Sequence, residues 1–518
     1  MVAFNTQPTS YIIHHPSDIR HLHVSCHPLS PPTPHYNRMK SSTIAVKGIL
    51  WSAIERFSTQ GALFVLSIIL ARIIAPHNFG LLAMLSIFIE IANTFVDSGF
   101  SKALVQKQDR TEKDFSTVFF FNIIISIIIY LVLFLTSPYI AAFYNEPILE
   151  TLTKYVSINI IITSFAVVQR AQLVIRVDFK KQAKYSVIAV LISGLVGVIL
   201  AYNNYGVWAL VVQSLLYNLI DTLLYIFNVR WIPRSFFSVE SFKCLFGFGS
   251  KLLFSGLLHT IYLNLYSIVI GKFYSATNVG YYNRANVLAQ FPSLNLVQIM
   301  SRAIFPIQCQ LQNEESRLQQ SLLSYLRYSC FIVFPLMVGL ASLSDPFIRL
   351  VLTDSWEGAI LPLSILSISY MLYPIMHIDS QILVVKGKSD MFLKAESIKK
   401  VIAVAILCST VYLGMIWLCL GIVIYNILDV IIIISFVKKV IHVTYMDHMR
   451  NLFPIFVASI VMGMVIHLFL TICGSYSYWL QLIVGFVIGV VSYYVTCKML
   501  RIHEVSDLTR KINMYIHH

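Results

Sequence analysis

The run IIISIIIYLVLFL, residues 123–135, can fold in very few ways. Runs of this kind recur along nearly all of the 518 residues. In hydrocarbon every backbone N–H and C=O needs a partner, so only helices and closed barrels cross a membrane. Barrel strands alternate apolar and polar residues over about ten positions, and these runs are continuous. Apolar residues make up 57% of the chain and charged residues 12%, about half the charge of a soluble domain. The fold class is therefore an all-α polytopic membrane protein of about fourteen transmembrane helices. The segments are 48–73, 81–100, 117–136, 152–176, 185–202, 207–228, 250–271, 286–306, 325–344, 359–385, 396–413, 416–437, 452–473 and 478–499.

Basic residues assign a side to each connection, because cytoplasmic loops collect Lys and Arg. Lys102, Lys107, Arg110 and Lys113 follow the second segment, and Lys180, Lys181 and Lys184 follow the fourth. Arg230, Arg234 and Lys243 follow the sixth, Lys386, Lys388 and Lys394 the tenth, and Lys438, Lys439 and Arg450 the twelfth. Residues 137–150, 203–206, 414–415 and 474–477 contain neither Lys nor Arg. This pattern predicts both termini in the cytoplasm. The net charge of +14 is mostly this topological signal plus attraction to anionic lipid, not a nucleic-acid footprint.

A weak internal repeat suggests the architecture. ARIIAPHNFGLL after the first segment matches GKFYSATNVGYY after the seventh, with Arg72 on Lys272, Asn78 on Asn278 and Gly80 on Gly280. SPYI at Ser137, read as the turn after the third segment, matches DPFI at Asp345 after the ninth. Two parallel six-helix lobes plus two C-terminal helices follow, with a cavity expected between the lobes. The predicted division is a disordered extension over 1–40, an N-terminal lobe over 41–228 and a cytoplasmic linker over 229–249. A C-terminal lobe over 250–440, two helices over 441–499 and a cytoplasmic tail over 500–518 complete it. The extension holds six of fifteen histidines and six of seventeen prolines without an apolar core, and Met39 is a candidate start. Eight isolated cysteines without a CxxC pair suggest neither disulfide nor metal site.

Polar residues inside the apolar segments carry the functional reading, since charge at such depth is expensive. In KGILWSAIERFSTQGALF, Ser52, Glu55, Arg56, Thr59, Gln60 and Ser67 share an arc of about 140°. Ser86, Glu90, Asn93, Thr94, Asp97 and Ser98 do so in the second segment, and Ser214, Tyr217, Asn218, Asp221 and Thr222 in the sixth. His259, Tyr262 and Tyr266 mark a face of the seventh, and Tyr370, Tyr373, His377 and Gln381 one of the tenth. Such faces turn to a water-filled cavity or to each other. Arg56 and Arg170 are the strongest ligand candidates, because a guanidinium fork donates two parallel hydrogen bonds to phosphate. Gln60, Asn93, His259 and Arg302 complete the substrate-binding set; Glu90, Glu55, Asp97 and Asp221 are candidates for ion coupling. Plainer readings stand beside these: Arg302, Arg176 and Asp97 are near helix ends and can snorkel, and His259 and His377 can be packing residues. No G-x-x-x-x-G-K-[ST] is present and the odd-numbered turns are short, which argues against an ATPase or an enzyme and leaves transport.

WSAIERFSTQGALFVLSIILARIIAPHNFGLLAM, FVDSGFSKALVQKQDRTEKDFSTVFFFN, FYNEP, VVQRAQLVIRVDFKKQA, YGVWALVVQ and GYYNRANVLAQFP occur here in that order. Together they resemble bacterial Wzx-type polysaccharide flippases of the MOP superfamily, near the colanic-acid and teichuronic-acid exporter branch. The resemblance runs from about Met39 to the end. It implies a two-lobed helical transporter in the bacterial cytoplasmic (inner) membrane that moves an undecaprenyl-pyrophosphate-linked oligosaccharide for surface polysaccharide synthesis. It also implies a cationic cavity. No cofactor is expected, a proton or sodium gradient is the candidate driving force, and polysaccharide polymerase and glycosyltransferases are candidate partners. An ion-coupled multidrug exporter of the same superfamily is the alternative within transport, and a membrane-embedded polysaccharide polymerase the alternative outside it.

Overall fold

The computed structural model describes residues 60–97, 100–107, 109–176, 178–474, 476–502 and 504–505. Glu55, Arg56 and the proposed N-terminal extension lie outside the described residues. Helices and their connections make up the fold, with no strand among the described residues. In chain order they are α1 (Gln60–Ile73), α2 (Pro76–Asp97), α3 (Phe100–Gln106), α4 (Glu112–Tyr144), α5 (Ile148–Val156), α6 (Ile158–Ser164) and α7 (Val167–Ile175). Then follow α8 (Phe179–Tyr202), α9 (Val207–Val229), α10 (Val239–Phe273), α11 (Ala276–Gln310), α12 (Glu315–Ser342) and α13 (Ser344–Val351). A 3₁₀ turn (Asp354–Ala359) leads into α14 (Ile360–Met371), α15 (Tyr373–Val385), α16 (Ser389–Thr410), α17 (Met415–Val437), α18 (Tyr445–Ile472) and α19 (Tyr478–Met499).

Each of the fourteen predicted segments overlaps one helix or one broken run of these. Among the described residues nine stretches are long and apolar enough to cross a membrane, ten if α5–α6 and α7, bent by 44°, form one span.

Local chemistry sets the boundaries. Thr111 and Asp114 form a capping box at the start of α4, and Asn145 ends it in the left-handed region at φ 56°. The expected turn at SPYI is absent, because α4 runs through Ser137 and Pro138 to Tyr144. Proline removes the N–H that would bond the Phe134 carbonyl, and the Ser137 hydroxyl donates to that carbonyl at 2.8 Å instead. The matching Pro346 sits in the first turn of α13, where a missing N–H has no consequence, and there the chain does break, at Leu343.

The chain forms two compact units, one of residues up to Leu70 with Leu85–Leu263, the other of Ala71–Met84 with Asn264 onward. The first is built partly on an aromatic core in which Phe100, Leu104, Val118, Val168 and Leu245 are buried against Phe119, Phe121, Trp231 and Phe242. Residues 231–238 strap the start of α4: the Trp231 indole donates to Glu112 at 3.1 Å and the Ser238 N–H to the Thr117 hydroxyl at 3.0 Å.

In the second unit the first turns of α2 and α11 meet reciprocally. A Cβ on Gly80 would lie 1.6 Å from the Ala276 carbonyl oxygen, and one on Gly280 would lie 2.2 Å from that of Pro76. Positions 76 and 80 thus meet positions 276 and 280 at the offset of the sequence repeat. Trp356, fully buried, locks the junction by donating to the Ala71 carbonyl at 2.7 Å and meeting Phe79 and Tyr281 edge-on. The Arg284 guanidinium lies 4.6 Å over Phe79 and 5.5 Å over Trp356. Arg349 ties α13 to the 3₁₀ turn through Asp345, Asp354 and Glu357, at 2.8, 3.0 and 3.0 Å. Those carboxylates, Asp345 first, hold the Arg349 pKa above its ordinary value.

Candidate functional site

The break between α6 and α7 at residues 165–166 places Arg170 in the first turn of a new helix. A cation is disfavoured at a helix N-terminus, so a nearby carboxylate is needed. Asp221 on α9 supplies it: Arg170 Nη2 lies 2.7 Å from Asp221 Oδ2. The Ser186 hydroxyl donates to the other carboxylate oxygen at 3.4 Å. Tyr225, one turn beyond Asp221, lies under the guanidinium at 5.3 Å and packs edge-on against Tyr185. The Arg170 side chain is 37% exposed and that of Asp221 5%, so the cation is reachable while its counter-ion is not.

The remaining polar face of α9 is turned to α6. Asn159 donates to the Ser214 hydroxyl at 3.2 Å, Asn218 donates to the Asn159 side-chain oxygen at 2.9 Å, and Thr222 donates to the Ile162 carbonyl at 3.2 Å. Of the two destinations open to this face, helix–helix contact is the one observed. Neighbouring helices supply partners that lipid cannot.

The other predicted residues are more dispersed. Gln60 is half-buried at the start of the described part of α1, Glu90 is half-buried and Asn93 exposed on α2, and Asp97 is the last residue of α2. α2 meets α10 through Thr94 and Thr260, whose hydroxyls are 3.2 Å apart. Gly256 makes room, with Thr94 Cγ2 3.1 Å from where its Cβ would be. Arg302 is exposed on α11.

The second unit contains an arrangement that the reading of the sequence missed. Asp429 on α17 is buried and paired with Lys399 on α16 at 3.1 Å, and Lys399 also bridges to Glu396. Asn426 donates to the Ser369 hydroxyl at 2.6 Å, and Tyr425 to Asp429 at 3.4 Å. The signal was present as YNLID at 217–221 and YNILD at 425–429, an offset of 208 that Ser137 and Asp345 share. Glycines with positive φ, Gly206 and Gly414, precede α9 and α17 at the same offset. The carboxylate is repeated while its cation comes from a different helix, α7 in one unit and α16 in the other.

Residues 69–361, more than half of the chain, match the family described as polysaccharide biosynthesis protein. The teichuronic acid biosynthesis protein TuaB of Bacillus subtilis (strain 168) is 29% identical over 302 residues, 58% of this chain and 62% of that protein. The lipopolysaccharide biosynthesis protein WzxC of Escherichia coli (strain K12) is 26% identical over 436 residues, 81% of this chain and 88% of its own. Among solved structures, the lipid II flippase MurJ in an inward closed conformation superposes with a TM-score of 0.70 at 17% identity, over 87% of this chain and 98% of MurJ. An inward-facing multidrug resistance MATE family transporter of the MOP superfamily gives 0.56 at 18% identity, over 75% and 97%. With its membrane-spanning helices and its fold shared with these transporters, the chain belongs to the polysaccharide biosynthesis protein family.

Proposed function

We propose that this protein moves an undecaprenyl-pyrophosphate-linked oligosaccharide across the bacterial cytoplasmic membrane by alternating access, without catalysing a covalent step. The Arg170–Asp221 pair carries the reading. A pyrophosphate offers the guanidinium two parallel acceptors, as a carboxylate does, and so competes with Asp221 for Arg170. Asp221 then falls back on Ser186, which makes binding and release of the anion a partner exchange rather than the exposure of a bare charge. Curated relatives named for lipopolysaccharide biosynthesis and succinoglycan transport, and the shared fold with a lipid II flippase, support the substrate class. Polysaccharide polymerase and glycosyltransferases are the partners such a step requires, and a proton or sodium gradient its energy source.

Deletion of the gene is expected to trap lipid-linked oligosaccharide on the cytoplasmic face, measured by its protection from a membrane-impermeant lectin added outside spheroplasts. Normal outward exposure in the deletion strain overturns the reading; unchanged glycan with lost resistance to toxic cations favours a multidrug exporter instead.

The proposed orientation has fourteen crossings with both termini inside. Reporter fusions at Asn145, Asn204 and Cys473, all at helix ends, are expected to report the outer side. Fusions at Lys107 and Lys388 are expected to report the inner side. Reversal at two of these points defeats the arrangement.

A further inference from the structure

Several ion pairs of this chain with a buried acid have arginine or lysine as the base, and neither releases a proton near neutral pH. The pair of Asp379 on α15 and His448 on α18 differs. The side chains are 0% and 4% exposed, and Nε2 lies 3.0 Å from Oδ2 and 3.3 Å from Oδ1. Histidine is the side chain whose ordinary titration falls between pH 5 and 8. The other ring nitrogen, Nδ1, lies 3.0 Å from the Thr444 carbonyl, which can only accept, so Nδ1 carries a hydrogen. Nε2 of the neutral ring is then an acceptor facing a carboxylate. One proton between them joins the two; without it, two lone-pair acceptors confront each other at hydrogen-bond distance.

A polar cleft lies one helical turn along α18 from His448. Its volume is about 350 Å³, and it is lined by Gln319, Gln320, Ser324 and Arg327 of α12 and by Asn451 of α18. Asn451 follows His448 by three residues and so shares its face of α18. Cys330, which follows Arg327 by three, is fully buried. Asp447 is the further charged group acting on His448. Arg327 is paired with Glu504, at 2.7 and 2.9 Å. Through Asn451 the lining of the cleft comes within one helical turn of His448 on α18.

We propose that Asp379 and His448 form a proton-binding site filled through this cleft. Loading transfers a proton from hydronium to the Nε2–carboxylate position, leaves water behind and draws α15 and α18 together. Unloading leaves a buried carboxylate facing an acceptor, a state that requires water to enter and the helices to part. As a coupling site this rests on the export reading; as a proton site it does not.

The test uses the full chain in liposomes without any lipid-linked sugar, with a pH dye following an acid jump from about pH 8 to about pH 6, the range in which histidine titrates. Asp379→Asn with His448→Gln keeps a neutral hydrogen bond and is expected to lower uptake by about one proton per chain at unchanged melting temperature. Equal uptake overturns the site. Asn451→Leu, which closes the cleft with an apolar side chain, is expected to slow uptake without changing its amount; an unchanged rate overturns the route. A proton count that fails here leaves trapping of the glycan lipid in the deletion strain intact, and the converse holds.

Discussion

Alanine at Gly280 or Gly80 is expected to lower thermal stability and abolish polysaccharide export. In an isolated helix Gly→Ala stabilises by roughly 0.5–1 kcal/mol, so any loss reports the tertiary contact. The new methyl would stand 2.2 Å from the Pro76 carbonyl oxygen, or 1.6 Å from that of Ala276. Both obstacles are backbone and cannot rotate aside, so the first turns of α2 and α11 must separate. Overpacking of this kind costs about 1–3 kcal/mol. Separation also disturbs what the junction carries, the Trp356 bond to Ala71 and the stack of Arg284 on Phe79. Gly61→Ala is the control, since nothing lies within 4 Å of its Cβ position. Melting of the detergent-solubilised protein and surface polysaccharide in a deletion strain provide the two readouts. Wild-type values for Gly280→Ala would show that the helices part freely.

The second large effect concerns Arg170 and Asp221. Arg170→Ala leaves a buried carboxylate without its partner, a loss of about 3–5 kcal/mol, and is expected to reduce protein level as well as export. Adding Asp221→Ala removes the stranded charge, so the double variant is expected to recover protein level while export stays lost. Arg170→Lys keeps the charge without the fork and is expected to export weakly. Recovery of export in the double variant would make the pair a structural contact and remove the anion site, leaving the family assignment untouched.

The difference between the helices that were legible and the pairings that were not has a plain cause. Helix existence depends on local apolarity, which is continuous over each segment. The Arg170–Asp221 contact depends on the 44° bend between α5–α6 and α7, and nothing local in FAVVQR announces a bend, since it contains neither Gly nor Pro. Pro138, by contrast, invited a turn that the chain does not make, because a neighbouring serine hydroxyl replaces the lost donor. The helical-face argument identified Asn218, Asp221 and Thr222 as inward-facing but not what they face. A polar arc has the same periodicity whether it meets water or another helix.

By itself the sequence determined the membrane class, the helical segments, the charge bias of their connections and the glycine repeat at positions 80 and 280. These follow from composition and spacing along one chain, where each residue's solvent is set by its neighbours in sequence. Only the tertiary structure decided that those glycines meet, that Arg170 is held by Asp221 while Lys399 holds Asp429, and that Asp379 faces His448 across 69 residues. In an apolar medium a buried charge must find a counter-charge, and which one it finds is a matter of helix packing that no local pattern encodes.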